Sequence, residues 1–146
     1  MQRLSLIINH PALMQRHTLT TDTGYLFDSN VIALNQTITS SLARSDSRAF
    51  FKEFLPFQRY YSDGYYLSAD SLEGEDQVTI RTSSVLRPDL YIMNAQTGEV
   101  IDSLRGTRSN RNLSYILDVE EGIDYLILFT SNSSGSTGQY SLTVEN

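Results

Sequence analysis

From Tyr61 to Val144 the chain repeats one unit, a short run of alternating or unbroken apolar residues closed by turn chemistry. Val78-Thr79-Ile80-Arg81-Thr82 and Leu113-Ser114-Tyr115-Ile116-Leu117-Asp118-Val119 alternate, and Tyr140, Leu142 and Val144 share one face of the last run. A period of two places every second side chain on the same face of a strand. Leu90-Tyr91-Ile92-Met93 and Tyr125-Leu126-Ile127-Leu128-Phe129-Thr130 are apolar throughout, as in strands covered on both faces. Tyr61–Leu67 reads as a strand around Gly64, and Val100-Ile101 begins another. Turns fall at residues 94–98, at Glu120-Glu121-Gly122 and in the Ser/Gly stretch from Ser131 to Gly138. No helical period is sustained, no βαβ rhythm appears, and no repeat recurs at solenoid spacing. The chain is therefore expected to be all-β, a sandwich or barrel.

The first sixty residues are less regular. Leu4, Leu6 and Ile8 alternate with Ser5, Ile7 and Asn9, which predicts a short strand ending at Pro11. Thr18 to Thr23, closed by Gly24, reads as a linker or an edge strand. Residues 1–30 are thus an N-terminal extension, and 31–146 the sandwich. Ile38 and Leu42 mark a strand that ends at a turn over residues 43–47. The segment from Arg48 to Phe57 has two readings. Asp46 or Ser47 could cap a single helical turn stopped before Pro56, or the stretch is an extended aromatic loop.

Length and composition bound the function. One domain of 146 residues buries enough surface to fold without a disulfide or metal. Net charge is −6 with a pI near 4.7, so nucleic acid and anionic membrane are not expected partners. Arg105, Arg108 and Arg111 form a local basic cluster, read as a solvated loop or a small basic patch. Cysteine is absent, which excludes thiol catalysis and cysteine-ligated zinc. No apolar run approaches the length of a spanning helix. The first ten residues are too short and polar for a signal peptide, so export is non-standard, the signal lies outside this sequence, or the protein stays inside.

A family resemblance rests on the order of motifs. A Tyr-rich strand precedes Val78-Thr79-Ile80, then Pro88-Asp89-Leu90-Tyr91-Ile92 and the hairpin Thr97-Gly98-Glu99-Val100-Ile101. Asn112-Leu113-Ser114-Tyr115 and Gly122-Ile123-Asp124-Tyr125 follow, and Gly135–Val144 closes the chain. This pattern resembles the bacterial pre-peptidase C-terminal domain family over about residues 31–146, most specifically in Thr137–Val144. The resemblance implies a jelly-roll-like antiparallel β-sandwich of the kind appended to secreted proteases and other extracellular proteins. It implies an extracellular or cell-surface location and no catalysis by the domain itself. Two departures stand out: Arg87-Pro88-Asp89 where the family often has Asp-Pro, and Asp102-Ser103-Leu104-Arg105-Gly106, with a basic residue at Arg105, where it often has an acidic cluster. The aromatic segment 48–59 looks like an insertion.

Candidate sites follow from residue chemistry. His10 and His17 both sit in the extension, where no packed scaffold holds a nucleophile to them, so no catalytic residue is assigned. Glu73, Glu75 and Asp76 surround Gly74 as an oxygen-rich loop, and relatives that use acidic loops for calcium make this the calcium candidate. No other cofactor is expected. Phe50, Phe51, Phe54 and Phe57 concentrate apolar area in a few residues. They either close one open end of the sandwich, dock a partner subunit, or stack on sugar. Leu4, Leu6, Ile7 and Ile8 form a strand able to pair in cis, or in trans with another copy. The expectation is a non-catalytic module that self-assembles, into a filament if strand exchange does not close. The alternative is a monomeric accessory domain that binds protein or polysaccharide.

Overall fold

The computed structural model describes the backbone of residues 5–8, 16–20 and 26–146, and side chains from Ser29 onward. The alternating runs become strands in chain order: β1 (Ser5–Ile8), β2 (Arg16–Thr20), β3 (Leu26–Val31), β4 (Gln36–Leu42), β5 (Ser47–Arg48) and β6 (Tyr61–Leu67). Then come β7 (Gln77–Ser84), β8 (Pro88–Asn94), β9 (Val100–Arg105), β10 (Leu113–Asp118), β11 (Tyr125–Ser131) and β12 (Gly138–Glu145). Two sheets form. The larger runs β1-β2-β3-β6-β11-β8-β9, with β5 also on β6; the smaller runs β10-β7-β12-β4. The expected all-β sandwich is the fold.

The small sheet shows why alternation forms it. In β7, Val78, Ile80 and Thr82 are buried while Gln77, Arg81 and Ser83 face solvent; in β12, Tyr140, Leu142 and Val144 are buried. These inward residues meet Tyr65, Leu67, Ile92, Tyr125, Ile127 and Phe129 of the large sheet in one apolar cluster. Phe129 stacks on Tyr140 with centroids 3.9 Å apart and planes 13° off parallel. Gly138 opens β12 at φ 153°, and a Cβ there would stand 3.0 Å from Val85 Cγ2, so this turn requires glycine.

The large sheet is covered on both faces at its centre. All seven residues of β11 are buried. Tyr125, Ile127 and Phe129 point into the sandwich, while Leu126 and Leu128 join Ala49, Met93 and Ala95 in a second cluster on the outer face. Phe51, Tyr60, Tyr66 and Tyr91 pack against that second cluster. The unbroken apolar runs of β8 and β11 are therefore explained by an external cover, supplied by residues 49–60.

Two features lay outside the sequence patterns. The β3–β6 pairing is parallel, with Ser29 opposite Gly64 and Val31 opposite Tyr66, whereas the other described pairings are antiparallel. The segment 46–56 holds one 3-10 turn, Phe50–Lys52, followed by irregular chain. Asp46 caps no helix; its Oδ2 accepts the Ala43 backbone N–H at 2.8 Å within the turn after β4. No helix among the described residues is long and apolar enough to cross a membrane.

Candidate functional site

The aromatic insertion divides its side chains between two tasks. Phe51 packs edge-on against Tyr91 at 5.1 Å, beneath the cover of the large sheet. Phe50, Phe54, Leu55 and Phe57 are exposed, Phe54 by 85% and Phe57 by 73%. The insertion starts from the end of the sandwich where β6 and β8 begin, and packs Ala49 and Phe51 onto the outer face of the large sheet.

Lys52, the one lysine of the chain, pins the insertion down. Its ammonium is buried and donates to Asp89 Oδ2 at 2.8 Å and to the Ser131 carbonyl at 2.7 Å. It lies 4.5 Å from the Tyr60 ring centroid and 5.6 Å from that of Tyr91. Burial pushes the Lys52 ammonium below its usual range, against the opposing pull of Asp89. Arg105 approaches the other carboxylate oxygen, Nε to Asp89 Oδ1 at 3.4 Å. A second clamp is Glu53, which accepts from the Arg48 guanidinium and from the Tyr60 backbone N–H at 3.0 Å. Burial pushes the Glu53 carboxyl up, but these donors hold it below the usual range.

The exposed part of the insertion is shaped by its own hydrogen bonds. Gln58 Oε1 accepts the backbone N–H groups of Phe54 at 2.8 Å and Leu55 at 3.1 Å. Arg59 Nη1 donates to the carbonyls of Pro56 and Gln58, both at 2.8 Å. The loop that carries Phe54 and Phe57 is thus a closed turn.

The calcium candidates lie in a cleft of about 640 Å³ at one end of the sandwich. Glu73, Glu75 and Asp76 line it together with Glu120 and Glu121 from the β10–β11 turn, over Leu72 and Val119. Among the described residues no three His, Cys, Asp or Glu side chains are placed so as to hold a metal ion. The meeting of the two acidic loops was not foreseen, because they are separated by more than forty residues in sequence.

A polar notch of about 120 Å³ lies between β3, β4 and the start of β6, lined by Ser40, Asp46, Ser62 and Asp63 among others. It has room for several waters. Beside it, the Tyr140 hydroxyl donates to Asp63 Oδ2 at 2.5 Å and is hydrogen-bonded to the Tyr65 hydroxyl. Burial pushes the Tyr65 phenol up to about 12, and burial with the nearby Asp63 charge raises Tyr140 further. These phenols are locked as protonated structural bonds.

Of the assembly strand, Leu4 lies outside the described residues. Leu6, Ile7 and Ile8 fall in β1, whose backbone pairs antiparallel with β2, Leu6 opposite Leu19 and Ile8 opposite His17. In this order β1 is one rim of the large sheet and β9 the other. His10 lies outside the described residues, and His17 is described only as a backbone position in β2.

No family model matches the sequence. No curated protein matches it either. Solved structures do. The pre-peptidase C-terminal domain of a collagenase from Bacillus anthracis is similar over 81% of this chain and 95% of that one, with 16% identity and a TM-score of 0.56. An insecticidal delta-endotoxin from Bacillus thuringiensis is aligned over 99% of this chain and 30% of its own, with 12% identity and a TM-score of 0.36. Two packed sheets, the tyrosine-bearing closing strand and the first of these likenesses lead to one statement: this chain has the fold of the pre-peptidase C-terminal domain.

Proposed function

We infer that the chain is a non-catalytic, extracellular structural or interaction module that assembles with copies of itself through its N-terminal strand. The observation that carries this reading is the position of β1 at the rim of the large sheet, with β2 as its partner on one side. A rim strand presents backbone N–H and C=O groups on its other side and can accept a further strand. The opposite rim, β9, is exposed along most of its length. A contact between β1 of one copy and β9 of the next would be head-to-tail, and such contacts grow into filaments when the rotation does not close. The absence of catalysis is supported by what the polar side chains do: Lys52 and Asp89 are engaged in a buried ion pair, and Asp63 and Tyr140 in a part-buried hydrogen bond. The test is removal of residues 1–24. Light scattering is expected to show monomer for the deleted chain, and oligomers that persist after deletion would refute assembly through this strand.

A second reading is favoured by the exposed Phe50, Phe54, Leu55 and Phe57. In it, the chain is a monomeric accessory domain that docks protein or polysaccharide on this patch. The intact protein would then stay monomeric at high concentration and be retained in a glycan or collagen pull-down. Loss of retention in the Phe54→Ser/Phe57→Ser variant would place the ligand on the insertion.

A further inference from the structure

The two ends of the sandwich carry opposite charge. The strand registers place the loops 68–76, 95–99 and 119–124 at one end, and the loops 43–46, 49–60, 85–87, 106–112 and 132–137 at the other. The first set holds eight carboxylates and neither Lys nor Arg. Besides Lys52, whose charge is paired with Asp89, the second set holds five basic residues, Arg44, Arg59, Arg87, Arg108 and Arg111, against two acidic ones, Asp46 and Glu53. A chain of net charge −6 should repel its copies; this separation makes one orientation the exception.

Shape follows the same polarity. At the basic end stands the closed turn with Phe54 and Phe57 bare, Arg59 beside them, and Gly135 N–H bonded to the Arg59 carbonyl at 2.6 Å to tie the turn to that end. At the acidic end is the cleft of about 640 Å³, with Leu72 and Val119 in its lining and Glu73 and Glu120 exposed within it. Aromatic side chains on a pre-shaped turn lose little freedom on docking, and aromatics ringed by complementary charge are the usual anchors of protein contacts.

We propose that the sandwich stacks end to end on a second copy of itself, the Phe54–Phe57 turn of one copy seated in the acid-rimmed cleft of the next. This proposal rests on the reading that the chain self-assembles; it uses a surface different from the N-terminal strand and reinforces that strand contact, being too weak to hold copies together once residues 1–24 are removed. The occupant is a second copy because one molecule carries both complementary halves, bare aromatics with arginine at one end and an apolar-floored acidic cleft at the other. Because the halves sit at opposite ends, the contact is heterologous and each copy added leaves a turn and a cleft free.

Two full-length variants test it, with folding checked by thermal melting. Phe54→Ser/Phe57→Ser removes the anchor; Glu73→Arg/Glu120→Arg reverses the cleft. All four positions are exposed, so both variants should melt like the parent. Native mass spectrometry and size exclusion with light scattering read the mass at low salt. Each variant alone is expected to weaken association by roughly 30-fold or more, the scale set by loss of one interface hot spot. An equimolar mixture, in which the intact turn of one variant meets the intact cleft of the other, is expected to associate more tightly than either variant alone, the gain fading as salt rises. If the parent assembles and either variant assembles equally well, the end-to-end contact is overturned while self-assembly stands. If the mixture associates no more tightly than either variant alone, the contact is overturned likewise. A parent that remains monomeric throughout overturns both readings.

Discussion

The two sheets of this sandwich bury their residues by different rules. The four-stranded sheet is covered on one face, and β7 and β12 alternate between buried and exposed residues accordingly. The eight-stranded sheet is covered on both faces at its centre, and β11 is buried at every position. The second cover is residues 49–60, held down by Lys52 on Asp89 and by Glu53 on Arg48 and Tyr60. The difference teaches that a continuous apolar run in a two-layer β fold signals a third layer, and that this layer is free to present its outward residues, here Phe54 and Phe57, to something else.

The largest effect should come from unpinning that cover. Lys52→Ala leaves Asp89 buried with Arg105 as its nearest cation, and breaking a buried pair on one side costs about 3–5 kcal/mol. Urea denaturation is expected to show this loss, and replacing both partners, Lys52→Met with Asp89→Leu, to recover most of it. If the double variant is no better than the single, the pair does more than hold the insertion. Next in size are Ile127→Ala, inside the sandwich, and Leu128→Ala, under the insertion. Both residues are fully buried, so each is expected to cost about 2–5 kcal/mol. A loss at Leu128 of only a few tenths would mean that the insertion lies loosely on the sheet.

A smaller effect distinguishes the tyrosines of the sandwich interior from the outer cover. Tyr140→Phe removes a hydroxyl bonded to Asp63 and Tyr65, at a cost of about 1–3 kcal/mol. The interior phenols also set a pH window. The Tyr65 phenol titrates near 10 when unfolded and near 12 when folded, so the folded chain holds the proton that the unfolded chain loses. Stability is therefore complete below pH 10 and falls as pH rises from there to about 12, by on the order of 2–3 kcal/mol from Tyr65 alone. Melting temperatures across that range should fall less steeply for Tyr65→Phe than for the parent. The smallest effect is expected from calcium. In a titration into metal-stripped protein, a saturable heat and a rise in melting temperature would make Glu73, Glu75 and Asp76 ligands, and the lack of both would end that assignment.

Much of the sandwich is written locally. The alternation in Val78–Thr82 and Leu113–Val119 and the closing Tyr140-Ser141-Leu142-Thr143-Val144 specify strands and their buried faces without help from elsewhere. The insertion is not written that way. Phe50, Phe51, Phe54 and Phe57 look alike in sequence, yet only Phe51 packs inward, because no strand or helix period assigns their directions. The one local mark of the inward side is Lys52, a solitary lysine in an arginine-rich chain set among aromatics. The acidic loop at Glu73–Asp76 was visible, but its partner at Glu120-Glu121 is brought to it by the β7–β10 register, which puts Gln77 opposite Asp118. The parallel β3–β6 pairing has no local signature, since parallel neighbours are joined by long crossovers.

Sedimentation velocity of the intact chain over a wide dilution series tests self-assembly most directly. The account requires a sedimentation coefficient that climbs continuously with concentration and does not level off at a dimer, because head-to-tail contacts do not saturate. One boundary of monomer mass, unchanged from the lowest to the highest concentration, would contradict it.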